Sequence, residues 1–213
     1  LELTDTMLEQ ARDIDANYAE VHFLQAKRFQ AKGELAQAIT AYKKAVELNP
    51  DYAEARMALG IQSMASGNYN EALQQFEVVV KLVPTLTAAH LNLGDAYRAL
   101  RRWQDAKREF DTALRMQAEL PEAHFNLALM YMSVGTEFPN LSELDALNRS
   151  LIEFNTYRNQ MGSRLPPNDP SSANMADVQR RIDREKKRIE REKAKAEKDA
   201  QRKAREAAGG QAK

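Results

Sequence analysis

Residues 53–84 hold two amphipathic segments parted at Gly67-Asn68, and their pattern recurs along the chain at the interval that separates Gly60 from Gly94. Leu59, Gly60, Ala72, Phe76 and Pro84 mark the frame. One interval back, Ala38, Tyr42 and Pro50 stand where Ala72, Phe76 and Pro84 do. One interval forward, Leu93, Gly94, Tyr97, Ala106 and Phe110 fall into line. A fixed period in this range means that each unit buries its apolar face only against its neighbours. Such a chain is expected to stack helical units, not to close around one globular core.

The units follow from the periodicity. In residues 19–52, Phe23, Ala26 and Phe29 suit one helix, and Leu35, Ala38, Ile39, Tyr42, Ala45 and Val46 suit a second at three- and four-residue spacing. Gly33 separates the two, and Asn49-Pro50 ends the second. Further units span 53–86 and 87–120, and a divergent one spans 121–161, with Pro121 suited to a first helical turn. Residues 1–18 read as the second half of a unit, with Leu8 and Ala11 in the places of Phe76 and Val79. More sequence is therefore expected upstream.

These residues resemble the tetratricopeptide repeat family, whose signature places an aromatic, Leu-Gly, Tyr, Ala, an aromatic and Pro at set positions within each repeat. The resemblance implies an all-α, right-handed superhelix of antiparallel helix pairs over residues 1–161. Departures occur at Ser63 for Tyr, Val79 for Ala, Ala118 for the closing Pro and Arg101 for the turn glycine. Arg101 is thus expected in a left-handed conformation at some strain. In the last unit, Ser150, Leu151, Phe154 and Tyr157 align with Ala106, Lys107, Phe110 and Ala113, which implies a ten-residue insertion. Asn140 or Ser142 would cap the longer helix that follows. The insertion either extends a terminal helix that closes the stack or shapes a partner site.

Residues 162–173 read as a linker, because Pro166, Pro167 and Pro170 oppose helix. Residues 174–208 read as a charged helix with Asn174 as N-cap, and 209–213 as a tail. Met175, Val178, Ile182 and Ile189 make a thin apolar seam on it, whose first turns are expected to meet the last repeat. The sequence is neutral overall, yet residues 177–206 carry 13 Lys and Arg against 8 Asp and Glu. An acidic body and a basic tail result.

No run of eighteen apolar residues exists, so no transmembrane segment is expected. No signal peptide is read, and the absence of cysteine removes disulfides, thiolate zinc sites and a cysteine nucleophile. His22, His90 and His124 share one position in their units. Equivalent points on stacked units lie too far apart for one ion at ~2.0–2.1 Å, so imidazole as a packing ring is the expectation and no metal site is assigned. No nucleophile–base constellation or phosphate loop is visible, and neither an enzyme nor a cofactor is expected.

The resemblance implies that the first helix of each unit lines a concave face. The positions are Phe23, Lys27 and Gln30; Met57, Ile61 and Met64; Leu91, Asp95 and Arg98; Phe125, Leu129 and Met132. Eight of these twelve are apolar. An exposed apolar stripe rich in methionine suits an adaptable groove. Partner-binding residues are accordingly assigned as Phe23, Met57, Ile61, Met64, Leu91, Asp95, Arg98, Phe125, Leu129 and Met132. The alternative is that the chain's own tail covers part of the stripe. Cations for gripping a terminal carboxylate, known in some members of the family, are missing here. The expected function is a protein–protein scaffold or adaptor that holds a partner peptide or helix, of the kind that assembles bacterial envelope or motility complexes. A periplasmic location is favoured over a cytoplasmic one. The alternative is a nucleic-acid-associated adaptor acting through the basic helix, though acids interleave its bases and it has no aromatics. Oligomeric state is not legible.

Overall fold

The computed structural model describes residues 18–210, with side chains as far as residue 205. Among these residues every regular element is helical. The helices are α1 (Ala19–Ala31), α2 (Leu35–Leu48), α3 (Ala53–Ala65), α4 (Tyr69–Leu82), α5 (Thr87–Ala99), α6 (Trp103–Met116), α7 (Pro121–Val134), α8 (Glu143–Met161) and α9 (Ser171–Gly210). One 3-10 turn lies at Gly162–Arg164. The all-α fold class and its helix pairs are as the periodicity requires. The half-unit read at residues 1–18 lies outside the described residues except for Tyr18. Two compact units divide the chain, Leu1–Ala123 and His124–Lys213, with the division inside α7.

In the first unit α1 packs on α2, α3 on α4 and α5 on α6; α2 also meets α3, and α4 meets α5. The crossings depend on small residues. Gly60 faces the ring of Phe76, and Gly94 faces the ring of Phe110, so closely that a Cβ at either glycine would overlap the ring. Both rings are fully buried, as are Ala72 and Ala106, one turn before them on the same helices. Around α1 and α2 the core is Ala26, Ala38, Ala41, Tyr42 and Leu59.

The turns inside the pairs repeat as the sequence does. Gly33, Gly67, Arg101 and Gly135 each stand one repeat apart, and all have positive φ, at 77°, 75°, 58° and 53°. In the first three the next residue closes the helix in the same way. Glu34 N–H donates to Phe29 O at 2.9 Å, Asn68 N–H to Ser63 O at 2.8 Å, and Arg102 N–H to Tyr97 O at 2.9 Å. Arg101 adopts the left-handed conformation that its place demanded. Its guanidinium lies 5.6 Å from the centre of the Trp103 ring, a cation–π contact that offsets part of the strain.

In the second unit the ten-residue offset holds in space. Ser150, aligned with Ala106, is buried and donates its hydroxyl to Ala128 O at 2.8 Å. Phe154, aligned with Phe110, is fully buried. Ser142, not Asn140, is the N-cap of α8, and its oxygen accepts from Asp145 N–H at 3.0 Å. Helix α9 starts three residues before the expected Asn174. The reason is Asp169, which accepts from Ser171 N–H at 2.9 Å and so sets the first turn earlier. Asn174 N–H instead donates to Pro170 O, within that turn. Val178 and Ile182 of α9 are buried in one cluster with Ala128, Leu147 and Phe154. Beyond Ile189 nearly every described side chain of α9 is exposed.

Two consequences can be measured. Gly94→Ala would set a Cβ 2.6 Å from Phe110 Cε1. Alanine's helix preference gains about 0.8–1 kcal/mol, but overpacking against a ring with no room to turn costs about 1–3 kcal/mol. The urea midpoint should fall. The second concerns Asp169. Burial pulls its carboxyl upward, yet hydrogen bonds from Ser171 and Tyr157 and the nearby Arg158 charge outweigh it and hold the carboxyl below its usual range. Its contribution is therefore present above pH 3.8, the ordinary carboxyl value, and is lost as pH falls below that. Exchange protection of the first turns of α9 should drop in that acid window, and Asp169→Asn should show the loss already at neutral pH.

Candidate functional site

On α3, Met57, Ile61 and Met64 stand at steps of four and three, and so share one face. Ile61 is 43% exposed, and Met57 and Met64 are half-buried. On α5, Leu91, Asp95 and Arg98 hold the equivalent places and are also half-buried. The Asn92 amide reaches the Met57 sulfur at 4.0 Å, which sets Met57 against α5. Asp95 and Arg98 are not two separate charges on this face. Arg98 donates through Nε at 2.8 Å and Nη2 at 2.7 Å to the same Asp95 oxygen, and the pair neutralises itself.

Phe23 on α1 belongs to an aromatic cluster. Its ring centre is 5.8 Å from that of Tyr42 and 5.0 Å from that of Tyr52, and the Lys27 ammonium lies 5.6 Å from its centre. The first unit thus offers a strip of Met and Ile side chains on α3, continued by Leu91. A self-neutralised ion pair lies at one end of the α5 row.

The second unit treats its equivalent residues differently. Phe125, Leu129 and Met132 are half-buried against the cluster to which α9 contributes Val178 and Ile182, with Met175 packed beside them. Phe125 also meets Phe154 edge-on at 5.7 Å and Tyr157 at 5.0 Å. Arg181 of α9 donates to Met132 O at 2.6 Å, at the C-terminal turn of α7, and lies 3.4 Å from Glu143. The guanidinium satisfies a carbonyl that the helix end leaves without a partner. These three residues therefore share their face with the chain's own last helix.

The histidines carry a feature that periodicity alone did not reveal. His90 is buried, with Nδ1 2.8 Å from Glu109 Oε2 and Nε2–H donating to Pro84 O at 3.1 Å. His124 repeats this with Nδ1 2.7 Å from Glu153 Oε2. The equivalent Arg56 donates to Gln75 Oε1 at 2.8 Å. Arg56 and His90 each reach 19 residues ahead and His124 reaches 29, so the insertion is visible in the spacing of polar pairs. The His90 and His124 imidazoles pack as rings within their helix pairs, but they do so as hydrogen-bonded partners of Glu109 and Glu153. Among the described residues no three His, Cys, Asp or Glu converge on a point where a metal ion could sit. No described helix is long and apolar enough to cross a membrane.

Tyr97 and Ser63 occupy equivalent places. The Tyr97 hydroxyl donates to Glu77 at 2.9 Å, and burial followed by that bond pushes its pKa up to about 12. Ser63 fills the place with a small buried hydroxyl that donates to Glu71 at 3.1 Å. Leaving a buried carboxyl group without its hydrogen-bond partner costs about 1–3 kcal/mol or more, whereas replacing both partners by apolar side chains of similar volume restores much of it. His90→Leu should therefore lower the denaturation midpoint strongly, and His90→Leu with Glu109→Leu should recover most of the loss.

A family model described as "TPR repeat" matches residues 26–61, and one described as "Tetratricopeptide repeat" matches residues 63–130. No curated protein matches the sequence significantly. Among solved structures, one of MamA is similar at 18% identity and TM-score 0.62, covering 74% of this chain and 86% of that one. YrrB, described as a TPR protein with an unusual peptide-binding site, is similar at 19% identity and TM-score 0.60, covering 80% and 81%. PilW, described as a widely conserved type IV pilus biogenesis factor, is similar at 20% identity and TM-score 0.60, covering 75% and 70%. At these identities the likeness is one of fold.

Proposed function

The chain belongs to the tetratricopeptide repeat family, and we propose that it is an interaction scaffold whose first unit holds an amphipathic helix of a partner protein on Met57, Ile61, Met64 and Leu91. A scaffold for protein–protein contact is the role such repeats serve. The choice of a helix as occupant rests on one observation within the chain. Phe125, Leu129 and Met132 stand one repeat on from Leu91, Asp95 and Arg98 and two on from Met57, Ile61 and Met64. They are packed in one cluster with a helix that presents Met175, Val178 and Ile182 at steps of three and four. A partner helix with apolar residues at the same steps would find like chemistry on α3 and α5 of the first unit. Phe23 is already engaged by Tyr42 and Tyr52, and the Asp95–Arg98 pair neutralises itself at one end of the α5 row.

The complex served is the finer part of the proposal: a bacterial envelope or motility assembly, in which a scaffold without catalysis is useful. Binding of helix-stabilised peptides to the full chain tests the core of the reading. Peptides with apolar residues at i, i+3 and i+7 should bind, and Met57→Glu with Leu91→Glu should weaken them at least tenfold while leaving the thermal midpoint within a few degrees. Equal binding by the double variant, or no preference for apolar over Ala-substituted peptides, would overturn it.

A further inference from the structure

Helix α9 has a second face that its seat on the second unit does not use. Arg184, Arg188, Arg191, Lys195, Lys198 and Arg202 follow one another at steps of four, three, four, three and four, and all are exposed. At 3.6 residues per turn these steps draw the six cations into one stripe about 80° wide and about 27 Å long. Arg181, three residues before the stripe, is tied to Met132 O and Glu143, which fixes the near end of the rod. Arg188 bridges Glu185 and Glu192 on its own helix. Among the described residues, Arg184, Arg191, Lys195 and Lys198 make no ion pair.

We infer that this stripe is a docking line for an acidic helix of a partner protein, one that carries Asp or Glu at alternating three- and four-residue steps. The acids on α9 itself select this occupant over the others. They run in two separate rows, Asp183, Glu190 and Glu197 on one flank and Glu185, Glu192 and Asp199 on the other. A duplex groove about 12 Å wide closes around a helix of about 10–12 Å and brings phosphates to both flanks. Here both flanks are acidic, and no aromatic is present to stack on a base. A line contact between two parallel or antiparallel rods avoids the flanks. A membrane surface also fits poorly, because between residues 190 and 205 the only apolar side chains are alanines. A second copy of α9 offers each acid row at seven-residue intervals, one carboxylate for every two cations of the stripe. A partner with acids at every three or four residues matches all of them.

This inference is independent of the apolar surface on the first unit, and its test reads α9 alone. The full chain is titrated with a labelled helical peptide bearing glutamates at steps of four and three. Controls are a peptide of equal composition with the glutamates spread around the helix and a 20-base-pair DNA duplex. The striped peptide should bind at least tenfold tighter than the scattered one, and weaken as salt rises above 0.1 M, where the Debye length is about 10 Å. Arg191→Glu with Lys195→Glu and Lys198→Glu should abolish the preference. Lys186→Glu with Lys193→Glu and Lys203→Glu changes net charge equally but lies off the stripe, and should retain it. Equal binding of both peptides, equal loss in both triple variants, or tighter binding of the duplex would each overturn the inference.

Discussion

In the first unit the fit of a phenylalanine ring against a glycine decides how near two helices can come. Phe76 on Gly60 and Phe110 on Gly94 let the helices of a pair approach until ring and backbone touch. Within the α5–α6 pair, Glu109 reaches His90 across the crossing. Buried polar groups raise specificity only when both partners are present, since a half-paired group in the interior is costlier than none. The glycine–ring contact supplies closeness, and the polar pairs supply register.

The turns obey a related constraint. Three glycines and Arg101 occupy the same left-handed position at one interval. The arginine shows that position outranks residue type: the backbone takes the conformation that the flanking helices impose, and the side chain accommodates it.

Much of this was legible in the sequence because a period is a redundant signal. The frame of Leu59, Gly60, Ala72 and Phe76 appears often enough to predict the helix pairs, the odd conformation at Arg101 and the ten-residue insertion. Where the chain leaves the period, legibility fades. The start of α9 is not legible from Asn174, which has the look of a cap, because Asp169 acts from across Pro170 and draws its strength from Tyr157 and Arg158, distant in sequence. The pairing of His124 with Glu153 was likewise hidden, since the insertion breaks the spacing that links Arg56 to Gln75 and His90 to Glu109. The face assigned to partners was readable as a row of apolar positions. That α9 meets the last repeat through Met175, Val178 and Ile182 was legible in its seam, whereas which face it would share, that of Phe125, Leu129 and Met132, stayed open between a partner and the chain's own tail.

Helix α9 is held unevenly along its length. Its seat closes with Asp169, Val178, Arg181 and Ile182, all within its first turns or just before them, while the stretch from Glu185 to Arg202 runs on for about 25 Å at about 1.5 Å per residue. The arrangement is a lever with its fulcrum at one end. A sideways load near Arg202 would reach the seat as a torque, multiplied by an arm longer than the seat itself, and would be resisted by Val178, Ile182, the Arg181 guanidinium and the hydrogen bonds around Asp169 and Ser171.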